Sequence, residues 1–131
     1  MEVTSKTFKE KMPLILKSIQ DCDYYSIDTE FSGITLNLRD RGHIYDTMED
    51  RYQKLKFICQ NYIAWQLGLS TFQYDTISHN YKCQTYSFPI FPRLGPFSKR
   101  AYIMSSDSLK FLAKHSFAFS KTIGEGIVNS V

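Results

Sequence analysis

The sequence predicts an α/β fold: a short mixed sheet of three mainly antiparallel strands with flanking helices. Three observations lead there. Segments of helical period alternate with segments of strand period, two β-rich runs are joined by a short polar turn, and the elements run helix, strand, helix, strand, strand, helix. The 131 residues suit one domain. Three strands make a thin sheet, and one open edge is expected.

The first helix is read in TFKEKMPLILKSIQ (7–20), where Phe8, Met12, Ile15, Leu16 and Ile19 form a stripe. Thr7 and Glu10 have capping-box spacing. Pro13 lacks an N–H and clashes with the carbonyl four residues back, so it predicts a kink or a regular helix that begins near it. Residues 24–31 read as a strand, and RDRGHIYDT (39–47) as a loop. The second helix, 47–62, opens with Thr47 and Asp50 and has acids before lysines, the order that suits the helix dipole. Its apolar stripe is Met48, Tyr52, Leu55, Ile58 and Cys59.

YIAWQLGLSTF (62–72) alternates as a strand does, with Ile63, Trp65, Leu67 and Leu69 on one side. A polar turn at 73–80 leads to the β-rich run 81–91, which completes an antiparallel hairpin. Pro89 belongs at a strand end or an edge. Residues 92–101 read as a basic loop, and SSDSLKFLAKH (105–115) as a short helix with a serine-rich start. No repeat or low-complexity tract is present.

Composition narrows the function classes. Hydrophobic content of 43% and aromatic content of 15% argue against disorder, and a net charge of +3 is compatible with a polyanion without requiring one. Cys22, Cys59 and Cys83 are odd in number and contain no CxxC, which disfavours zinc and a disulfide framework and fits three core thiols in a reducing compartment. No apolar run reaches the ~18 residues of a membrane helix, and MEVTSKTFKEK has no signal-peptide h-region. The expected localisation is nucleus and cytoplasm.

The chemistry centres on DYYSIDTEFSGI (23–34). Alternation along a strand puts Asp28 and Glu30 on one side, about 7 Å apart at their bases. Two such carboxylates repel in a low dielectric unless they face water, share a proton or bind divalent cations. The first outcome suits an exposed edge strand. Ile27, Phe31 and Ile34 around the pair argue instead for an interior strand, which favours hard cations such as Mg²⁺. Two such ions can serve the attacking and leaving oxygens of a phosphodiester. His43, His79 and His115 read as ordinary loop or helix histidines, and Arg93, Lys99, Arg100 and Lys110 as a solvated face or phosphate contacts. Of the aromatics Tyr24, Tyr25, Phe31, Trp65, Phe88 and Phe91, all but Phe31 read first as core.

These residues resemble the first exonuclease motif of the DEDD, or CAF1-type, 3′→5′ exoribonucleases. The likeness is to the poly(A)-specific ribonuclease branch, which also holds the piRNA-trimming relative. EDRYQKLK (49–56), QLGLSTF (66–72), YSFPIFP (86–92) and SSDSLKFLAKHSFAFSK (105–121) resemble successive blocks in the same order, so that the likeness covers residues 6–127. It implies a partial RNase H-like fold and Mg²⁺-dependent removal of 3′ nucleotides from poly(A) tails or small RNAs. It also implies RNA 3′ ends as partner and a possible homodimer. By the same resemblance Asp28 and Glu30 are catalytic metal ligands, the first two of four acids, and Phe31, Ile34, Ser108, Leu109 and Phe111 contact RNA.

The departure from the pattern lies after residue 91. The only acids there are Asp107 and Glu125, and nothing matches the family's later acids or its histidine. Residues 1–131 therefore read as the N-terminal portion of one nuclease domain, with 128–131 a divergent tail. The two-metal site is then half supplied. The alternative is a non-catalytic fragment that binds RNA or another subunit.

Overall fold

The computed structural model describes residues 1–35, 42–92 and 101–128. In chain order the elements are α1 (Phe8–Asp21), β1 (Tyr24–Phe31), α2 (Met48–Asn61), β2 (Ala64–Asp75), β3 (Asn80–Phe91), α3 (Ser106–Lys114), α4 (Phe119–Glu125) and the two-residue β4 (Ile127–Val128). The sheet order is β1-β2-β3-β4. β1, β2 and β3 pair antiparallel, and β4 joins β3 in parallel through Ile90 and Ile127. The expected α/β fold and its long strands are present, together with α4 and β4, which the sequence reading did not contain.

Register decides the two faces. Ile27 pairs with Leu69, and Leu67 with Phe88. Alternation then aligns Tyr25, Ile27, Leu67, Leu69 and Phe88 on one face. The α1 stripe of Phe8, Met12, Ile15, Leu16 and Ile19 lies over it. Val3, Ile15, Tyr86 and Phe88 form the core there, with Phe8, Leu67, Leu69 and Ile127 packed against them. A second cluster centres on buried Trp65, whose ring meets Phe91, Phe117 and Phe119 edge-on at 5.3–6.1 Å. It fixes α4 and the link before it to the sheet.

Several expectations are corrected. β1 is an edge strand, not an interior one, because only β2 pairs with it among the described residues. α1 runs unbroken through the exposed Pro13. Thr7 does not cap it, because its hydroxyl accepts from the Thr4 N–H at 3.1 Å instead. The α2 stripe lies largely open: Met48, Tyr52 and Leu55 are exposed, and no α2 residue is buried. The cysteines are not core either, since Cys59 and Cys83 are exposed and Cys22 is half-buried. Tyr24 and Tyr25 are also exposed.

Other expectations hold. Thr47 and Asp50 form the capping box of α2 in both directions. Ser105 caps α3, accepting from the Ser108 N–H. Pro89 lies two residues from the end of β3. On the outer edge of β3, Ser87 bonds the N-terminal segment through Met1 and Val3, and β4 begins its pairing at Ile90. Pro89, which has no N–H to offer, sits between those two short pairings. Arg93, Lys99, Arg100 and the tail beyond Val128 lie outside the described residues. No helix among the described residues is long and apolar enough to cross a membrane.

Candidate active site

The acids occupy the sheet face opposite α1. Asp28 stands across from Gly68, and Glu30 across from Gln66. Neighbouring side chains on this face are small and polar: Gln66 donates to the Ser87 hydroxyl at 2.7 Å, and the Ser70 and Thr85 hydroxyls lie 3.1 Å apart. Asp28 is exposed, and its Oδ1 accepts from the Thr29 N–H at 2.9 Å. Glu30 is half-buried. Neither forms a salt bridge among the described residues.

Past Glu30 the pairing register shifts, and Phe31 pairs with Ala64. The chain then turns away from the sheet at Ser32 and Gly33, both buried. Ser32 is 1% exposed. Its N–H donates to the Ile63 carbonyl at 2.8 Å, and its hydroxyl accepts from the Ile63 N–H at 3.1 Å. That hydroxyl also donates to the Ile103 carbonyl at 2.8 Å, while the Ser105 N–H donates to the Ser32 carbonyl at 2.8 Å. The segment leading into α3 is therefore bonded directly to the end of β1.

The result is a cleft of about 760 Å³ between these two segments. One wall carries Glu30, Phe31 and Ile34; the other carries Ser105, Ser106, Asp107, Ser108 and Phe111. Tyr62, Ile103 and Met104 also line it. Gly33 is needed because a Cβ there would fall 2.2 Å from Cε1 of Tyr62, so only a bare Cα lets that ring lie at the cleft base. Phe111 is half exposed and rests on His115, with ring centroids 4.2 Å apart.

Glu30, Phe31, Ile34, Ser108 and Phe111 thus come together in one cleft. Asp28 stands outside its lining, on the adjoining sheet face, and Leu109 is half-buried away from it. The sequence reading missed Ser32, Gly33 and Tyr62. Gly33 carried a legible signal, a glycine directly after an apolar strand. Ser32 and Tyr62 carried none, because their roles depend on segments 30 and 70 residues away.

Asp28 and Glu30 supply hard carboxylate oxygens that suit a divalent cation, and no cationic side chain among the described residues neutralises them. They fit a share of a metal site, not a whole one. Among the described residues no group of three or more His, Cys, Asp or Glu is placed to hold a metal ion.

Comparison with known proteins agrees with this geometry. Residues 3–129 match the family described as CAF1 family ribonuclease. The chain is 38% identical over 135 residues to the poly(A)-specific ribonuclease PARN of Danio rerio, covering 97% of this chain and 20% of that protein. It is 35% identical over 127 residues to the pre-piRNA 3′-exonuclease trimmer of Bombyx mori, covering 97% of this chain and 24% of the other. The chain therefore spans between a fifth and a quarter of these relatives. Among solved structures, S. pombe Pop2p in its Mg²⁺- and Mn²⁺-bound form superposes with a TM-score of 0.69 at 22% identity, over 96% of this chain and 47% of that one. That likeness shows a shared fold. Nucleases of this kind are metal-dependent and act on RNA 3′ ends. With its motif order, its fold and 127 matched residues in agreement, the chain belongs to the CAF1 family of ribonucleases.

Proposed function

We propose that this chain contributes the first pair of metal-ligating acids and one 3′-end cleft to a 3′→5′ exoribonuclease of the poly(A)-specific type. Its substrates are poly(A) tails or small-RNA 3′ ends. The observation that carries the reading is the cleft, where Glu30 shares one lining with the exposed rings of Phe31 and Phe111 and the hydroxyl of Ser108. Aromatic faces accept any base by stacking, and hydroxyls can bond ribose or phosphate oxygens. Asp28 and Glu30 would hold Mg²⁺, which supplies Lewis-acid chemistry at the phosphodiester. The carboxylates also impose a condition. RNA phosphates next to two uncompensated acids are repelled, so 3′-end binding at this face needs the cation.

The test is trimming of 5′-labelled oligo(A) by a nuclease domain in which the later acids complete the site this chain begins, with and without Mg²⁺, against Asp28→Ala. The expected result is a one-nucleotide ladder that needs Mg²⁺ and is lost by about 10²-fold or more in the variant, beyond the 10–100-fold that losing only an outer-shell partner of a ligand costs. An equally active Asp28→Ala protein would contradict the assignment. A second reading is favoured by the absence of a third acid beside the pair among the described residues. In that reading the chain binds RNA or another subunit without cleaving. Mg²⁺-dependent oligo(A) binding with no ladder supports it, and a ladder from the 131-residue chain alone refutes it.

A further inference from the structure

Ser32 is neither one of the paired acids nor one of the candidate RNA contacts, yet four hydrogen bonds gather on it beside the cleft. Its four hydrogen bonds, at 2.8–3.1 Å, reach two other segments: Ile63, next to the start of β2, and Ile103 with Ser105, on the approach to α3. The hydroxyl is used twice, as acceptor from the Ile63 N–H and as donor to the Ile103 carbonyl. The same approach segment is tied once more, by the Ile103 N–H to the Asn61 carbonyl at 2.8 Å. Phe31 adjoins Ser32 in sequence, and Ser105 is the N-cap of α3.

We propose that Ser32 is a positioning residue whose buried hydroxyl sets the separation of the two cleft walls, and with it the fit of an RNA 3′ end. The proposal rests on reading the cleft as the 3′-end site. The hydroxyl is small enough for a site that is 1% exposed, and it can donate and accept at once. Alanine would leave the Ile63 N–H and the Ile103 carbonyl without that partner, and the approach to α3 would be held mainly by main-chain bonds. A shift of about 1 Å in a positioned wall costs up to ~10²-fold in rate.

The test compares the wild-type chain, Ser32→Ala and Thr71→Ala. Thr71 is a control: it too is buried, at 3% exposed, but lies on β2, outside the cleft lining. Amide hydrogen exchange is read first. Ser32→Ala should speed exchange at Ile63 and Ser105 by tenfold or more and leave the β2–β3 amides unchanged, whereas Thr71→Ala should spare Ile63 and Ser105. Unchanged exchange at both amides in a folded Ser32→Ala protein overturns the proposal. Affinity for 3′-hydroxyl oligo(A) in Mg²⁺ is read second, at equal folded fraction. A loss of about tenfold or more in Ser32→Ala but not in Thr71→Ala supports positioning. Equal losses in the two variants, or none in Ser32→Ala, overturn it. If the wild-type chain binds no oligo(A), the RNA reading of the cleft fails and the proposal that Ser32 sets RNA fit fails with it. The exchange data then still say whether the hydroxyl holds the walls.

Discussion

Gly33 and Tyr62 show how narrowly one residue can determine the cleft. A methyl group on Gly33 would overlap the Tyr62 ring at three atoms, the nearest 2.2 Å away, and the ring is buried. Gly33→Ala should therefore destabilise the chain by about 1–3 kcal/mol, the usual cost of overpacking. A chemical denaturation series would measure it. A loss below about 0.5 kcal/mol would mean that the ring moves freely. Asp28 and Glu30 were legible at this scale, because period-2 alternation alone puts both on one side. Their exposure was not legible, since it depends on which strand pairs on the outer edge of β1. Local apolar flanks pointed the wrong way: Ile27 and Phe31 are themselves exposed.

At the scale of elements, the hairpin and α2 give the clearest expectations. Asp75 closes the β2–β3 hairpin opposite Asn80; the Lys82 ammonium at 2.8 Å, then the Ile77 N–H and the Ser78 hydroxyl, lower its carboxyl from 3.8 to about 2. A lowered acid stabilises the fold above its unfolded value and loses that contribution as pH falls through the folded one. The hairpin contribution should thus be whole above pH 4 and vanish between about 3.8 and 2. Asp75→Asn should flatten that part of the thermal midpoint against pH, and an unaltered acid limb would show that the Asp75 carboxylate contributes nothing to it. In α2, Thr47→Ala breaks the capping box and should cost about 1 kcal/mol. Circular dichroism on thermal unfolding would read it.

Element types and cores of elements were legible because hydrophobic period and turn residues are local signals. The failures have local causes as well. Thr7 has the composition of a cap, but its hydroxyl is engaged by Thr4. The α2 stripe has helical spacing, but Met48, Tyr52 and Leu55 on it stay exposed and only Ile58 is half-buried. α4 is only seven residues long, too short for its period to register.

For the whole molecule, the two faces of the sheet are unequal. The groove between α1 and the sheet, about 490 Å³, is lined wholly by apolar side chains, and Leu16, Tyr25 and Ile27 at its rim are half exposed or more. Together with exposed Met48, Tyr52 and Leu55 of α2 and an edge of β1 that no described strand pairs, this leaves much apolar surface in water. The 131-residue chain alone should bind a hydrophobic dye such as ANS while folded, and should self-associate as its concentration rises. Sedimentation at several concentrations and dye titration would check this; a monomer silent to the dye would contradict it.

The central claim concerns the opposite side, where the acids and the cleft adjoin. Its most direct test is NMR mapping of the chain with oligo(A) bearing a free 3′-hydroxyl, with and without Mg²⁺. The expected result is a set of Mg²⁺-dependent shifts at Asp28–Thr35 and Ile103–Phe111, weakened when the 3′ end is blocked by phosphate. Shifts confined to the α1 groove, or a response indifferent to both Mg²⁺ and the 3′ end, would contradict it.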